Sequence, residues 1–367
     1  MAKEMKNGYT TGSCAAAGVK AVLLFMLNKT ISTEVELTAL SGEKLIIPIK
    51  YINISKDGIW AEVIKDAGDD PDITHGVSVF TKVTLNNNSA VKFFAGDGIG
   101  IVTKEGLSVP VGQPSINPGP RRMMTTVVHE LLPEGQGCDI TISIPAGREL
   151  AKRTLNPILG IEGGISVIGT SGVVRPMSEE GFKNSLTPQI DVALAAGFSD
   201  QIFVPGKIGE NIAVALGLPR QAIVQTSNFI GHMLEYAADK NLNGVLLLGH
   251  LGKLVKVSAG NFYTHSKISD ARLETIAAYS AFLGMEQAGI KRIFNCITTE
   301  AAMTIIKEYH LEQELYPLLC ERASIRSMQH VFQKLKIGTV MATLKGELLG
   351  MDENAKRIGE KLHWNIK

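Results

Sequence analysis

Apolar residues at Ala16, Val19, Leu23, Met26 and Leu27 recur at the spacing of one buried helical stripe, directly after Gly8-Tyr9-Thr10-Thr11-Gly12-Ser13-Cys14. The pattern predicts a helix with Ser13 at its N-cap. From Glu34 to about Ala95 the runs at 35–39, 45–51, 59–64, 77–85 and 91–94 are short and extended, parted by turn residues such as Ser41-Gly42. With a helix at 121–132 and a strand at 139–144, they predict an α+β N-terminal domain carrying a mixed or antiparallel sheet.

After Gly160 the rhythm alternates. Strands are expected at 165–168, 201–204, 222–225 and 244–248, and helices at 187–196, 209–216 and 229–239. This predicts an α/β, Rossmann-like C-terminal domain whose parallel sheet is covered on both faces. The last third reads as mainly helical, with Ser269 or Asp270 capping a helix that stops near Gly289 and another helix starting near Thr298. An extended pair at 337–344 and 347–351 interrupts it. The linker at 147–160 is the expected boundary, giving domains 1–150 and 151–367.

Composition narrows the functional classes. Thirty-seven Lys and Arg against thirty-six Asp and Glu leave a net charge of +1, so no global field draws the chain to nucleic acid or to an anionic membrane. Anion recognition must be local. Lys20 interrupts the apolar stretch after Cys14, and no run reaches spanning length. Cysteines at 14, 138, 296 and 320 lack paired spacing, which argues against a disulfide framework or a zinc site. A reducing, cytoplasmic location is expected, and a homo-oligomer stays open.

Local candidates follow. The N–H groups of Thr10, Thr11, Gly12 and Ser13, at a helix start, suit a carboxylate or phosphate; a plainly capped helix is the alternative. Residues 66–76 gather Asp66, Asp69, Asp70, Asp72 and His75, a constellation open to a structural turn, a ligand contact or a metal site. Crowded like charges raise a carboxyl pKa, so Asp70 and His75 are acid–base candidates. Gly96-Asp97-Gly98-Ile99-Gly100 is only a partial dinucleotide fingerprint, because an extended segment follows it, and it reads as a glycine-rich hairpin.

Prolines at 110, 114, 118 and 120 deliver Arg121 and Arg122, while Arg148, Arg153 and Arg175 follow other loops. These guanidinium groups suit carboxylates, with ordinary surface pairing as the alternative. Residues 169–172, Pro205-Gly206, Thr226-Ser227-Asn228 and Gly249-His250-Leu251-Gly252-Lys253 would line one rim beyond the strands' carboxyl ends. His265 is open to a base or a capping role.

Several of these segments, in this order, resemble the CbiD family of cobalt-precorrin-5B C(1)-methyltransferases. They are Gly8 to Cys14, Asp66 to Gly76, Gly96 to Gly100, Pro145-Ala146-Gly147-Arg148-Glu149, Asn156-Pro157 through Gly164, and Gly249 to Lys253. The resemblance spans about residues 8–290. It implies methyl transfer from S-adenosylmethionine to C-1 of the cobalt-containing corrinoid cobalt-precorrin-5B, yielding cobalt-precorrin-6A in anaerobic cobalamin biosynthesis. The cobalt belongs to the substrate, and no protein-bound metal is expected.

On this resemblance the donor is expected against Thr10, Thr11, Gly12 and Ser13 or against Gly169, Thr170 and Gly172. Arg121, Arg122, Arg148, Arg153 and Arg175 are expected to grip the macrocycle's carboxylates, and Asp70 or His75 to remove a proton. Aligning donor and acceptor supplies much of such catalysis, so no triad is needed. Two rivals remain: a metal-dependent hydrolase or phosphotransferase built on the 66–75 cluster, and a non-catalytic corrinoid-binding protein.

Overall fold

Thr10 is extended (φ −75°, ψ 165°), and its Oγ1 accepts the Ser13 N–H at 3.2 Å. Helix α1 (Thr11–Asn28) therefore starts earlier than expected, with Thr10 rather than Ser13 as its cap. The computed structural model describes residues 5–56, 58–86 and 88–364. The chain divides into two units, Met1–Glu179 and Glu180–Lys367.

In the first unit, α1 is buried on more than the one expected stripe: Cys14, Ala15, Ala16 and Ala17 are all inaccessible. The small side chains let α2 (Pro118–Leu131) approach one side and the sheet another. The strands are β1 (Gly8–Tyr9), β2 (Glu34–Thr38), β3 (Lys44–Pro48), β4 (Tyr51–Ser55), β5 (Gly58–Ile64), β6 (Ser78–Asn86), β7 (Val91–Ala95), β8 (Ile101–Val102), β9 (Gly137–Ser143), β10 (Ile161–Glu162) and β11 (Val173–Val174). The run expected at 45–51 is cut into β3 and β4 at Pro48, which has no N–H to donate to a ladder. The main sheet runs β4-β5-β6-β9-β7, antiparallel except for the parallel pair β7–β9.

Residues 151–179 belong to this unit, which moves the division from the expected 150/151 to Glu179/Glu180. Beyond the short helices α3 (Gly147–Ala151) and α4 (Asn156–Leu159), β10 pairs with β8 and β11 with β1. Ile165 and Val167 make isolated parallel bridges to Ile99 and Ile116, so the expected strand at 165–168 is not part of the second unit's sheet. The Gly96–Gly100 motif sits at a crossing of backbones. A Cβ on Gly98 (φ +74°) would lie 1.8 Å from the Ile144 carbonyl oxygen, and one on Gly147 or Gly164 would lie 2.1 Å from that of Gly98.

The second unit holds β12 (Asp200–Val204), β13 (Ile223–Gln225), β14 (Gly244–His250), β15 (Lys336–Ala342) and β16 (Leu348–Met351), in the order β13-β12-β14-β15-β16. The first three pairings are parallel and the last antiparallel, so the sheet is mixed rather than wholly parallel. A tight turn closed by Thr343 N–H to Glu347 O (2.8 Å) joins β15 to β16, too short for a crossover. Helices α5 (Glu179–Leu186) and α6 (Pro188–Ala195) lead in, and α7 (Lys207–Ala215), α8 (Ile230–Asp239) and α9 (Leu251–Ser258) connect the parallel strands. The apolar run of β14 is buried along Gly244 to Gly249. Ile202, Leu246, Leu248 and Val340 pack with Ile212 of α7 and with Ile358 of the C-terminal helix. The single helix expected up to Gly289 is two, α10 (Arg272–Phe282) and α11 (Gln287–Phe294), parted at Gly284 (φ +89°). Then come α12 (Thr299–Glu308), α13 (Glu312–His330) and α14 (Glu353–Lys361).

Candidate functional site

In the first unit the two glycine-hydroxyl loops meet, and they bond each other. Ser13 Oγ donates to the Gly172 carbonyl (2.5 Å), Thr11 Oγ1 to that of Ile168 (3.1 Å), and the Gly12 N–H to the same Ile168 oxygen (3.0 Å). The Thr10 N–H reaches the Gly172 carbonyl at 3.2 Å. Thr10, Thr11, Ser13, Gly169 and Gly172 are buried. A Cβ on Gly12 would come within 2.6 Å of the Pro120 ring, and one on Gly169 within 2.4 Å of Thr10 Oγ1. The Gly12 and Ser13 N–H groups are thus taken up inside the chain, and Thr170 is the exposed member of the set. Cys14 beneath the joint is fully buried, which pushes its thiol up to about 12 and away from nucleophilic use.

The acidic loop lies beside this joint, because the Tyr9 N–H donates to the Asp66 carbonyl at 2.9 Å while Tyr9 pairs with Val173. Gly8 and Gly68 permit the approach: a Cβ on either would lie within 2.2 Å of backbone in the facing segment. Within the loop, Lys65 is almost completely buried, and its ammonium bonds Asp72 and, at 2.6 Å, Thr74 Oγ1. Burial alone would raise the Asp72 pKa, but the Lys65 charge and the Thr74 hydrogen bonds outweigh it and hold the carboxyl below its ordinary value. Asp66 accepts from the Lys6 ammonium (2.6 Å) and the Gly68 N–H (2.8 Å); Asp69 accepts from the Lys6 N–H (2.7 Å). Among the described residues, no three His, Cys, Asp or Glu side chains are grouped to share a metal ion.

The two acid–base candidates differ. His75 Nδ1 accepts the Ala67 N–H at 3.1 Å, which assigns the ring proton to Nε2 and leaves the neutral imidazole no free lone pair. Asp70 uses one oxygen to accept the Met177 N–H at 3.0 Å.

The arginines divide three ways. Arg121 is half-buried, donates to the carbonyls of Ile116 (2.7 Å) and Pro114 (3.1 Å), and lies over the Phe93 ring. It braces the proline-rich loop. Arg148 pairs with Asp97 (2.7 Å) and Arg175 with Glu43 (3.0 Å), while Arg122 and Arg153 are exposed without a described partner.

In the second unit, the ends of β12 and β14 frame a cavity of about 180 Å³ lined by Pro205, Lys207, Ile208, Gly209, Gly249, His250 and Lys253. Of the expected rim, Pro205, Gly249, His250 and Lys253 line this cavity, and Gly206, Leu251, Gly252 and Thr226-Ser227-Asn228 are not among its lining residues. Residues 169–172, expected on the same rim, belong to the first unit. Burial lowers the pKa of His250, with Lys253 adding to the effect and the Glu300 carboxylate opposing it. His265 Nδ1 accepts the Lys267 N–H (3.2 Å), closing a local turn. Lys256, which sequence reading did not single out, is buried and holds the carbonyls of Thr264 (3.1 Å) and Ser269 (2.8 Å). Its place on α9's apolar pattern was the available signal.

These features define a mixed α/β protein. The chain belongs to the CbiD family: the family model described as CbiD matches residues 1–176, and that described as CbiD, C-terminal domain, matches residues 263–353. A relative from Moorella thermoacetica named cobalt-precorrin-5B C(1)-methyltransferase is 45% identical over 98% of both chains. One of the same name from Methanocaldococcus jannaschii is 44% identical over 95% of this chain and 96% of its own. A crystal structure of a cobalamin biosynthesis protein (cbiD) from Archaeoglobus fulgidus is 22% identical, covers 73% of this chain and 84% of its own, and has a TM-score of 0.39.

Proposed function

We propose that this chain transfers a methyl group from S-adenosylmethionine to C-1 of cobalt-precorrin-5B, giving cobalt-precorrin-6A in anaerobic cobalamin biosynthesis. The observation that carries the reading is near-full-length likeness, at 45% identity, to a relative bearing that activity in its name. The donor supplies an electrophilic methyl on sulfur. The carbon nucleophile forms its bond as the methyl–sulfur bond breaks, and S-adenosylhomocysteine leaves. Little covalent help is required, and orientation alone is worth roughly 7–11 kcal/mol in favourable cases. The cobalt is part of the substrate.

In this reading the Asp70 carboxylate takes up the proton released as the double bonds rearrange, and His75 serves the loop. The buried Thr10, Thr11, Gly12, Ser13, Gly169 and Gly172 shape a cradle on which the exposed Thr170 meets a reactant. Arg122 and Arg153 receive acetate or propionate groups, Arg148 and Arg175 exchange their present carboxylate partners for the substrate's, and Arg121 fixes the loop that carries Arg122. The second unit serves as a Rossmann-like binding domain. The ion pairs at Asp66 and Asp72 speak against the rival hydrolase on that loop. Four unpaired cysteines and the 72% burial of the apolar α1 support a cytoplasmic location.

Anaerobic incubation with methyl-labelled donor and the cobalt corrinoid tests the reading. Label should move to the macrocycle, and a corrinoid recovered unlabelled would refute it.

A further inference from the structure

The strand order β13-β12-β14-β15 reverses direction beside β12. The chain leaves β12 to one side through α7 and β13, and returns to the other side at β14 through α8. In open α/β sheets this reversal opens a crevice beyond the strands' carboxyl ends, where the two outgoing connections part. The 180 Å³ cavity is at that place: Pro205 to Gly209 leave β12, and Gly249 to Lys253 leave β14. Gly249 and Gly209 let its walls close, since a Cβ on Gly249 would stand 2.9 Å from the Pro205 ring and one on Gly209 would stand 3.0 Å from the Leu248 carbonyl oxygen.

The lining is electropositive and incompletely engaged. Lys253 is half-buried, and among the described residues its ammonium bonds the neutral Asn228 Oδ1 and no carboxylate pairs with it. Lys207 pairs with Glu210 at the mouth (2.8 Å). The His250 ring has no described hydrogen bond, and neither α7 nor α9 receives a side-chain cap. A half-buried ammonium with no counter-charge is costly unless an anion joins it. At ~30 Å³ per water the cavity has room for about six, enough for a carboxylate and its neighbouring carbons but not for a macrocycle.

We infer that this crevice is a carboxylate subsite, with Lys253 as the charge partner and the His250 ring as a second polar contact. The inference rests on the methyltransferase reading for its two candidate sources: the α-carboxylate of the donor, or an acetate or propionate arm of the corrinoid.

Titration calorimetry on the full chain distinguishes them. S-adenosylhomocysteine is compared with methylthioadenosine, which lacks the amino-acid moiety, and cobyrinic acid with its methyl esters. Lys253→Met should weaken one free acid at least tenfold while leaving its carboxylate-free analogue unchanged, and Lys253→Arg should restore most of the loss. Loss for S-adenosylhomocysteine identifies the donor as source; loss for cobyrinic acid identifies the corrinoid. Equal affinity of Lys253→Met and the unaltered protein for both acids overturns the inference, as do equal losses for the carboxylate-free analogues. A measurement free of variants accompanies it: the His250 ring resonance should shift saturably with inorganic phosphate and with one of the two acids. A signal indifferent to all three also overturns the inference. Labelled methyl transfer is scored separately, so a protein that binds through Lys253 but transfers no label refutes the enzyme reading and keeps the subsite.

Discussion

Three glycine-bearing helix starts in this molecule look alike as sequence, and one of them behaves oppositely to the other two as chemistry. At the start of α1, Thr10, Thr11 and Ser13 turn their hydroxyls onto the residue 168–172 segment and onto each other, and two early N–H groups find partners within the chain. At the starts of α7 and α9 the cap residues are Gly206 and His250, neither of which closes the helix end with its side chain. A hydroxyl beside a helix start satisfies that start before any ligand arrives. Neither Gly206 nor the His250 ring makes such a bond at the starts of α7 and α9. Cap chemistry, more than glycine content, separates a structural joint from a receiving site.

Substitutions sharpen this contrast, and the largest effect is expected in the closed region. Lys65→Met strands the Asp72 carboxylate and should cost roughly 3 kcal/mol, the low end for a broken buried pair, because Asp72 is 25% exposed. Chemical denaturation measures it. The pH dependence follows from Asp72: its folded-state pKa lies below the unfolded value, so its contribution is present above pH ~4 and lost as pH falls through the depressed value. Asp72→Asn should flatten that acid limb, and an unchanged limb would remove Asp72 from the account.

Asp70→Asn should slow single-turnover methylation about 100-fold or more, within the span of general-base contributions, while His75→Ala stays near the unaltered rate. A slow His75→Ala enzyme would mean the ring reorients when substrate binds. Gly12→Val forces branched carbons towards Pro120 and should lower stability by about 1–3 kcal/mol, read in a melting curve. Its affinity for S-adenosylhomocysteine should hold in the surviving folded protein; a specific loss there would reopen the joint as a donor contact. Smallest is Thr10→Ala, about 1 kcal/mol from the lost cap, with no change in ligand affinity.

Much of the architecture is legible in local pattern. The spacing from Ala16 to Leu27 gives α1, and the unbroken apolar stretch from Val245 to Leu248 gives a strand buried on both faces. Information that arrives from distant residues is not legible. Three hydroxyls compete for the cap of α1, and Gly172 O helps decide, since it takes the Ser13 hydroxyl. The stretch at 165–168 has the composition of a parallel strand, but Ile99 and Ile116 claim it for the first unit. At the candidate site, the crowding of carboxylates between 66 and 72 was evident, whereas the engagement of His75 by the Ala67 N–H depends on how the loop folds back.

The meeting of Gly98, Gly147 and Gly164 also bears on how the polypeptide can be cut. A fragment ending at residue 150 would keep the first two and lose the third, together with the partners of β1 and β8, exposing unpaired edges. One ending at Glu179 retains them all. Shortened expression products, and the sites at which a protease trims the folded chain, should therefore converge on the later terminus.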